Sequence, residues 1–148
     1  MAARASIDSN ILVYAELEPE TKKGRLAQHV IGRAAPTGVL AAQALLEFVA
    51  VVRRRRPESL LSAIAKTEAW STVFETAPTT SHVVRTALQL AAGHQFQVWD
   101  AVIWSASQDA GATLLLTEDL QDGLRLNGMT AVNPFARTAA ELAALIGD

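Results

Sequence analysis

Ser6-Ile7-Asp8-Ser9-Asn10-Ile11-Leu12-Val13-Tyr14-Ala15 is apolar almost throughout, yet it carries an aspartate and an asparagine two positions apart. Ala3 to Ile7 reads as a first strand that ends at Asp8. A helix can start at once behind it, with Asp8 or Ser9 as N-cap and Ile11, Leu12 and Ala15 as its buried stripe. An ionised carboxylate this close to a core is costly unless something positive meets it. No lysine or arginine lies between Arg4 and Lys22. Either Asp8 only caps the helix, or it meets other carboxylates around a cation.

Working outward, strands and helices alternate. Glu16 to Glu20, with Pro19, breaks the first helix. Lys22 to Arg33 is amphipathic, with Leu26, Val30 and Ile31 inward. Ala34 to Gly38 turns, Val39 and Leu40 form a brief strand, and Ala42 to Arg55 is helical. Arg53 to Arg56 and then Pro57 close that helix, with cations at its negative end. A further helix is predicted over Pro57 to Ala69, a strand over Val73 to Thr76, and a helix from Thr80 or Ser81 to Ala92, ended by Gly93. Trp99 to Ala110 is helical and stops at Gly111. Ala112 to Leu116 is a continuous apolar run, as a strand buried on both faces requires. Thr130 to Asn133 is the last strand. Thr138 to Ile146 is a helix with the capping-box pair Thr138 and Glu141. This alternation predicts an α/β protein, a three-layer α/β/α sandwich with a central parallel sheet, as one domain over residues 1–148.

The 148 residues are half hydrophobic, with a formal charge of −2 and no cysteine. Disulfide frames, thiolate chemistry and cysteine zinc sites are excluded. The charge excludes a generally basic nucleic-acid coat but leaves room for a local basic patch. No apolar run reaches the length of about 18 residues that a membrane span needs, and the N-terminus lacks a signal-peptide core. The expectation is a soluble, cytoplasmic protein.

Four acidic residues sit in apolar flanks. Asp8 follows the first strand, and Asp119 follows the buried strand and Thr117. Glu47 is the only charge within residues 41–52, and Asp100 stands in Phe96-Gln97-Val98-Trp99-Asp100-Ala101-Val102-Ile103-Trp104. Each has an ordinary reading. Asp8 and Asp119 fit helix caps, and Asp100 fits the positive end of its helix. Glu47 fits worst, being mid-helix beside Ala44, Ala50 and Val51. Jointly, two strand-end and two helical carboxylates can converge beyond the carboxyl ends of the strands, where open α/β sheets place their sites. Without a cation they would repel and raise one another's pKa. A hard divalent cation, Mg²⁺ or Mn²⁺, is the physical solution.

The stretches IDSNILVYA (7–15), AQALLEFVAVV (42–52), VWDAVIWSASQDAGATLLLTEDLQDG (98–123) and VNPF (132–135) together resemble the PIN-domain family, and especially its VapC-type toxins. The resemblance implies a parallel-sheet sandwich with its acids on one face, using Mg²⁺ or Mn²⁺ to cleave RNA. Asp8, Glu47, Asp100 and Asp119 match the four acidic positions in order, as catalytic residues and metal ligands. Asn10 and Thr117 match the supporting polar positions, orienting carboxylates or water. The implied reaction is hydrolysis of an RNA phosphodiester by in-line attack of water, leaving 5′-phosphate and 3′-hydroxyl ends. A homodimer and a VapB-type antitoxin that covers the cleft and inserts a basic side chain are also implied. Glu118 is expected to point away, and Asp122 to be a solvated turn residue.

Arg53-Arg54-Arg55-Arg56 reads as a solvated helix end or as a guide for RNA phosphates. Trp99 and Trp104 suit core or dimer packing better than base stacking, Tyr14 suits packing, and His29, His82 and His94 suit surface or cap positions. Two other functions compete. A PIN-like RNA-binding or regulatory module would lack turnover. A Mg²⁺-dependent phosphohydrolase of the haloacid dehalogenase type would need an Asp-x-Asp nucleophile pair, but position 10 is Asn.

Overall fold

A computed structural model describes residues 3–147, so Met1, Ala2 and Asp148 at the ends of the expected domain lie outside the described residues. Six strands form one sheet: β1 (Ala5–Ile7), β2 (Val39–Ala41), β3 (Glu75–Ala77), β4 (Leu114–Leu116), β5 (Arg125–Leu126) and β6 (Met129–Val132). Their order is β3-β2-β1-β4-β6-β5. Every pairing is parallel except β5 with β6. Seven helices connect them: α1 (Ser9–Leu17), α2 (Lys22–Ala34), α3 (Ala42–Arg55), α4 (Leu60–Val73), α5 (Ser81–His94), α6 (Val98–Asp109) and α7 (Ala139–Ile146).

Strand alternation sorts the helices into two layers. Ala5, Ile7, Leu40, Leu114 and Leu116 pack with α1, α2, α3, α4 and α7. Val39, Ala41, Leu115, Met129 and Ala131 face the other way, onto α5 and α6. The expected three-layer α/β/α sandwich is therefore present. Chain direction through the sheet reverses between β1 and β4: β2 and β3 lie on one side of β1, and β4, β6 and β5 on the other. This is the switch point at which crevices open beyond the strand ends.

Local chemistry sets the helix starts. Asp8 caps α1, Thr21 caps α2 and Thr80 caps α5 with side-chain oxygens on early backbone N–H groups. Both bonds of the Thr138–Glu141 capping box are made. Gly24 is required by close approach: a Cβ there would stand 1.6 Å from the Glu18 carbonyl oxygen. That contact lets the first turn of α2 lie against the end of α1.

Several boundaries differ from the sequence reading. Val73 belongs to α4, and the strand is Glu75–Ala77, because α4 continues four residues beyond Ala69 and buries Trp70 against Phe48. Pro57–Ser59 is a separate 3-10 turn ahead of α4. Gly93 does not end α5; Gln95 does, in a left-handed conformation with φ 59°. Inside α2 the fully buried positions are Gly24, Ala27, Val30, Ile31 and Ala34, with Leu26 only half-buried. In α1 they are Ile11, Leu12, Val13 and Leu17, while Ala15 is half-buried. The sheet is also not purely parallel. Arg125–Leu126 and Met129–Val132 form a hairpin through Asn127 and Gly128, both at positive φ (52° and 84°). That Asn-Gly pair is a strong two-residue hairpin signal.

Candidate functional site

The switch point carries the acidic residues. Ile7 of β1 pairs with Leu116 of β4, so Asp8 and Thr117 emerge side by side from neighbouring strands. The Asp8 backbone N–H donates to the Leu116 carbonyl at 2.9 Å. Asp8 is only 2 % exposed. Its Oδ1 accepts from the Ser9 N–H at 2.7 Å, and its Oδ2 accepts from the Thr117 hydroxyl at 2.8 Å. Asn10 Nδ2 lies at 3.4 Å from both Asp8 Oδ2 and Thr117 Oγ1. Thr117 Oγ1 also accepts from the Asp119 N–H at 3.1 Å, and Asn10 Oδ1 accepts from the Glu118 N–H at 3.3 Å. This lattice ties the two strand ends together and fixes the Asp8 carboxylate. Asn10 and Thr117 thus stand where supporting residues would stand.

The other acids come from separate elements. Glu47 lies in the second turn of α3, which starts directly after β2. It is half-buried, and its Oε2 is enclosed with no hydrogen-bond partner. Asp100 is in the first turn of α6 and half-buried, while Asp119 is exposed on the loop after β4. Among the described residues, none of the four forms an ion pair with a lysine or arginine, although five other acid–base pairs exist.

Mutual influence is plain in their acidities. Burial pushes the Asp8 carboxyl up to about 6; hydrogen bonds from Thr117 and Ser9 pull against this, while the charges of Asp100 and Asp119 add to it. Glu47 is pushed up to about 7 by burial, then by the charges of Asp8, Asp100 and Asp119. Asp100 is raised by burial and by Asp119. Each of these groups is held away from its ordinary ionisation because nothing positive compensates it.

Two grooves meet here. A cleft of about 440 Å³ has Asn10, Tyr14, Glu47, Arg55, Glu118 and Asp119 among its walls. Another, lined by Gln95, Gln97, Asp100, Asp119 and Gln121, opens on the far side, so Asp119 borders both. No group of three or more histidine, aspartate or glutamate side chains among the described residues is arranged to hold one ion. The donor set is nevertheless all oxygen, and a Mg²⁺ ion needs only one or two carboxylates with water completing its shell. The partnerless Glu47 Oε2 and the uncompensated, nearly buried Asp8 fit such an ion chemically.

One neighbour differs from the sequence reading. Glu118 does not simply point away: it borders the first cleft, accepts from the Tyr14 hydroxyl at 2.6 Å and is paired with Lys23. Asp122 is an exposed turn residue, as expected, and it also pairs with Arg137 at 2.9 Å and accepts from the Asn133 N–H at 2.9 Å. Trp104 is buried edge-on to Phe96, but Trp99 is 59 % exposed and lies outside the core. Tyr14 packs edge-on against Phe135, and the three histidines are at the surface. Arg55 was read only as part of a basic run. Its separation by four from Val51, and Val51's by four from Glu47, was the available signal that it shares their helix face.

This arrangement of helices around a mostly parallel sheet has known counterparts. The PIN domain family profile matches residues 5–145, and the chain belongs to that family. Among solved structures, it is similar in fold to Mycobacterium tuberculosis VapC20, described as a toxin that cleaves the sarcin-ricin loop. There the TM-score is 0.66 at 16 % identity, covering 78 % of this chain and 89 % of that one. A toxin–antitoxin complex from Klebsiella pneumoniae gives a TM-score of 0.65 at 18 % identity, with 88 % and 97 % covered. A DNA-bound VapBC from Salmonella typhimurium gives 0.64 at 13 %, with the same coverage. No curated protein matches the sequence.

Proposed function

We propose that this chain is a metal-dependent endoribonuclease of the VapC toxin type, hydrolysing RNA phosphodiester bonds and neutralised by a VapB-type antitoxin. The observation that carries this reading is that Asp8, Glu47, Asp100 and Asp119 come from four elements, each raising another's pKa or having its own raised, and that none is paired with a lysine or arginine among the described residues. Toxin–antitoxin complexes among its structural neighbours support the partner. Homodimer formation is proposed on the family resemblance alone, and the antitoxin's inhibition on charge, since a basic side chain placed among these carboxylates would satisfy them.

In this reading Asp8, Glu47, Asp100 and Asp119 hold Mg²⁺ or Mn²⁺. When bound, the ion supplies charge stabilisation at a phosphoryl oxygen and acidifies water. Thr117 and Asn10 keep the Asp8 carboxylate in one orientation. The carboxylate ring excludes the phosphate until its charge is neutralised, which makes cleavage conditional on the ion. Water oxygen bonds to phosphorus as the bond from phosphorus to the ribose 3′-oxygen breaks. The water proton passes to a carboxylate; the role is assigned to Glu47, whose unpartnered Oε2 supports it. The 3′-oxygen leaves with a proton from solvent.

RNA ends sequenced after controlled expression, with Asp8→Asn in parallel, test the proposal. New 5′-phosphate ends are expected with the unmodified protein and not with the variant, and EDTA should abolish cleavage by purified protein. Equal cleavage by both proteins would remove the assignment. A second reading, a binding module without turnover, is favoured by the lack of a closed three-ligand group among the described residues. Calorimetry with Mn²⁺ separates the two, since a degenerate site should bind it poorly.

A further inference from the structure

The acidic cleft has one cation in its wall. Glu47, Val51 and Arg55 follow one another at intervals of four along α3, so they line a single helix face and the same cleft. Eight residues of helical rise place Arg55 about 12 Å along the axis from Glu47. Glu18, Glu118 and Asp119 also border that space. A polyanion entering it meets repulsion from every ionised wall except at Arg55.

The remaining arginines of the run are differently employed. Arg56 donates to the Leu17 carbonyl oxygen at 3.1 Å, joining the ends of α3 and α1. Arg53 and Arg54 are exposed and are not among the residues lining the cleft. Lys23, which pairs with the cleft residue Glu118, is spent on it and on Tyr14. Arg55 is the exception: its guanidinium is half-exposed and stands 3.9 Å from Glu18, at the long limit of an ion pair. Such a surface pair is worth little and can be exchanged for a stronger acceptor.

We propose that Arg55 is a substrate-binding residue that holds a backbone phosphate of single-stranded RNA flanking the bond cut at the carboxylate ring. The assignment rests on the nuclease reading above and extends it. It divides the four-arginine run by role: Arg55 makes a fixed contact, Arg56 is structural, and Arg53 and Arg54 add only to the general field. Arg55 stands about two helical turns beyond Glu47 in the cleft wall, so it is assigned to a flanking phosphate, and its loss should be felt in binding and not in the chemical step.

Arg55→Ala, Arg55→Lys and Arg53→Ala, assayed on single-stranded RNA beside the unmodified protein, test this. For Arg55→Ala we expect KM to rise about tenfold with kcat unchanged, as for loss of one charge-assisted contact. The slope of log affinity against log salt should become shallower by about 0.7, the single-strand value for one phosphate. Arg55→Lys should recover part of the loss, and Arg53→Ala should shift KM less than about twofold. A dinucleotide too short to reach Arg55 should be cut equally by Arg55→Ala and the unmodified protein. Fluorescence anisotropy in the Asp8→Asn background gives the same comparison without turnover. Unchanged KM and salt slope for Arg55→Ala, or equal losses for Arg53→Ala and Arg55→Ala, would overturn the assignment while leaving the nuclease reading intact. Failure of the unmodified protein to cut any RNA with Mg²⁺ or Mn²⁺ would overturn both.

Discussion

Glu118 and Asp119 are adjacent in the chain and border the same cleft, yet they belong to opposite electrostatic neighbourhoods. Around Glu118 everything is compensated. Burial pushes its carboxyl up, but hydrogen bonds from Lys23 and Tyr14 outweigh this and leave it below the ordinary glutamate range. Lys23 also rests 5.0 Å from the ring centres of Tyr14 and Phe135. Asp119 instead adds its charge to Asp8, Glu47 and Asp100, whose carboxyls are all raised and which pair with no lysine or arginine among the described residues. A protein of this size can satisfy an acid at its surface with little difficulty. It does so for Glu118 and Asp122 and not for Asp8, Glu47, Asp100 and Asp119, and that difference is what the proposed metal site rests on.

The contrast is broken most directly by charge removal. Asp8→Asn and Asp100→Asn should each lower RNA cleavage by more than about a hundredfold, beyond the usual effect of losing a supporting group at a metal site. Glu118→Gln should change cleavage little. Similar losses from Glu118→Gln and Asp8→Asn would erase the distinction between the two neighbourhoods. Next in size is Thr117→Val, which removes the hydroxyl shared by Asp8, Asn10 and the Asp119 N–H. Mn²⁺ affinity, read by calorimetry, should fall about 10- to 100-fold.

Stability against pH sharpens the comparison further, because the two neighbourhoods have opposite signs. Asp8 has a folded-state value of about 6 against 3.8 when unburied. Its contribution is fully present below pH 3.8 and is lost as the pH rises through about 6. Glu47 acts in the same sense, with loss extending through about pH 7. Glu118 and Asp122 are lowered, so their contributions are present above the ordinary carboxylate range and lost as the pH falls. Urea unfolding in EDTA should therefore show an Asp8-dependent loss of about 3 kcal/mol between pH 4 and pH 8. Asp8→Asn should remove that component, and Mg²⁺ should restore stability at pH 8. The smallest effect belongs to Lys23→Met: its partner is a surface pair, and unfolding should shift by no more than about 1 kcal/mol.

Much of this was readable in the residues themselves. A carboxylate close behind an apolar run, as at Asp8 and Asp119, announces a strand end, and Glu47 stands out because it is mid-helix among neighbours that are apolar except for Gln43. Fold class followed from the alternation of elements. What escaped depended on partners remote in the chain: Glu118 and Lys23 are 95 positions apart, and their pairing has no local signature. The strand after α4 was misplaced because Val73 suits a strand intrinsically, while packing around Trp70 keeps it helical. The β5–β6 hairpin was different, since its Asn127-Gly128 signal was present and passed over.

Pairing of β1 with β4 sets a timetable on synthesis. Asp8 leaves the ribosome among the first residues, but the strand that shelters it begins at Leu114. Domains form as cooperative units during translation, and contacts between distant segments come late. A nascent chain that ends before β4 cannot bring Thr117 and Asp119 beside Asp8, so the carboxylates gather only late in synthesis. Proteolysis of stalled chains should show Asp8 and its helix becoming protected only after β4 has emerged.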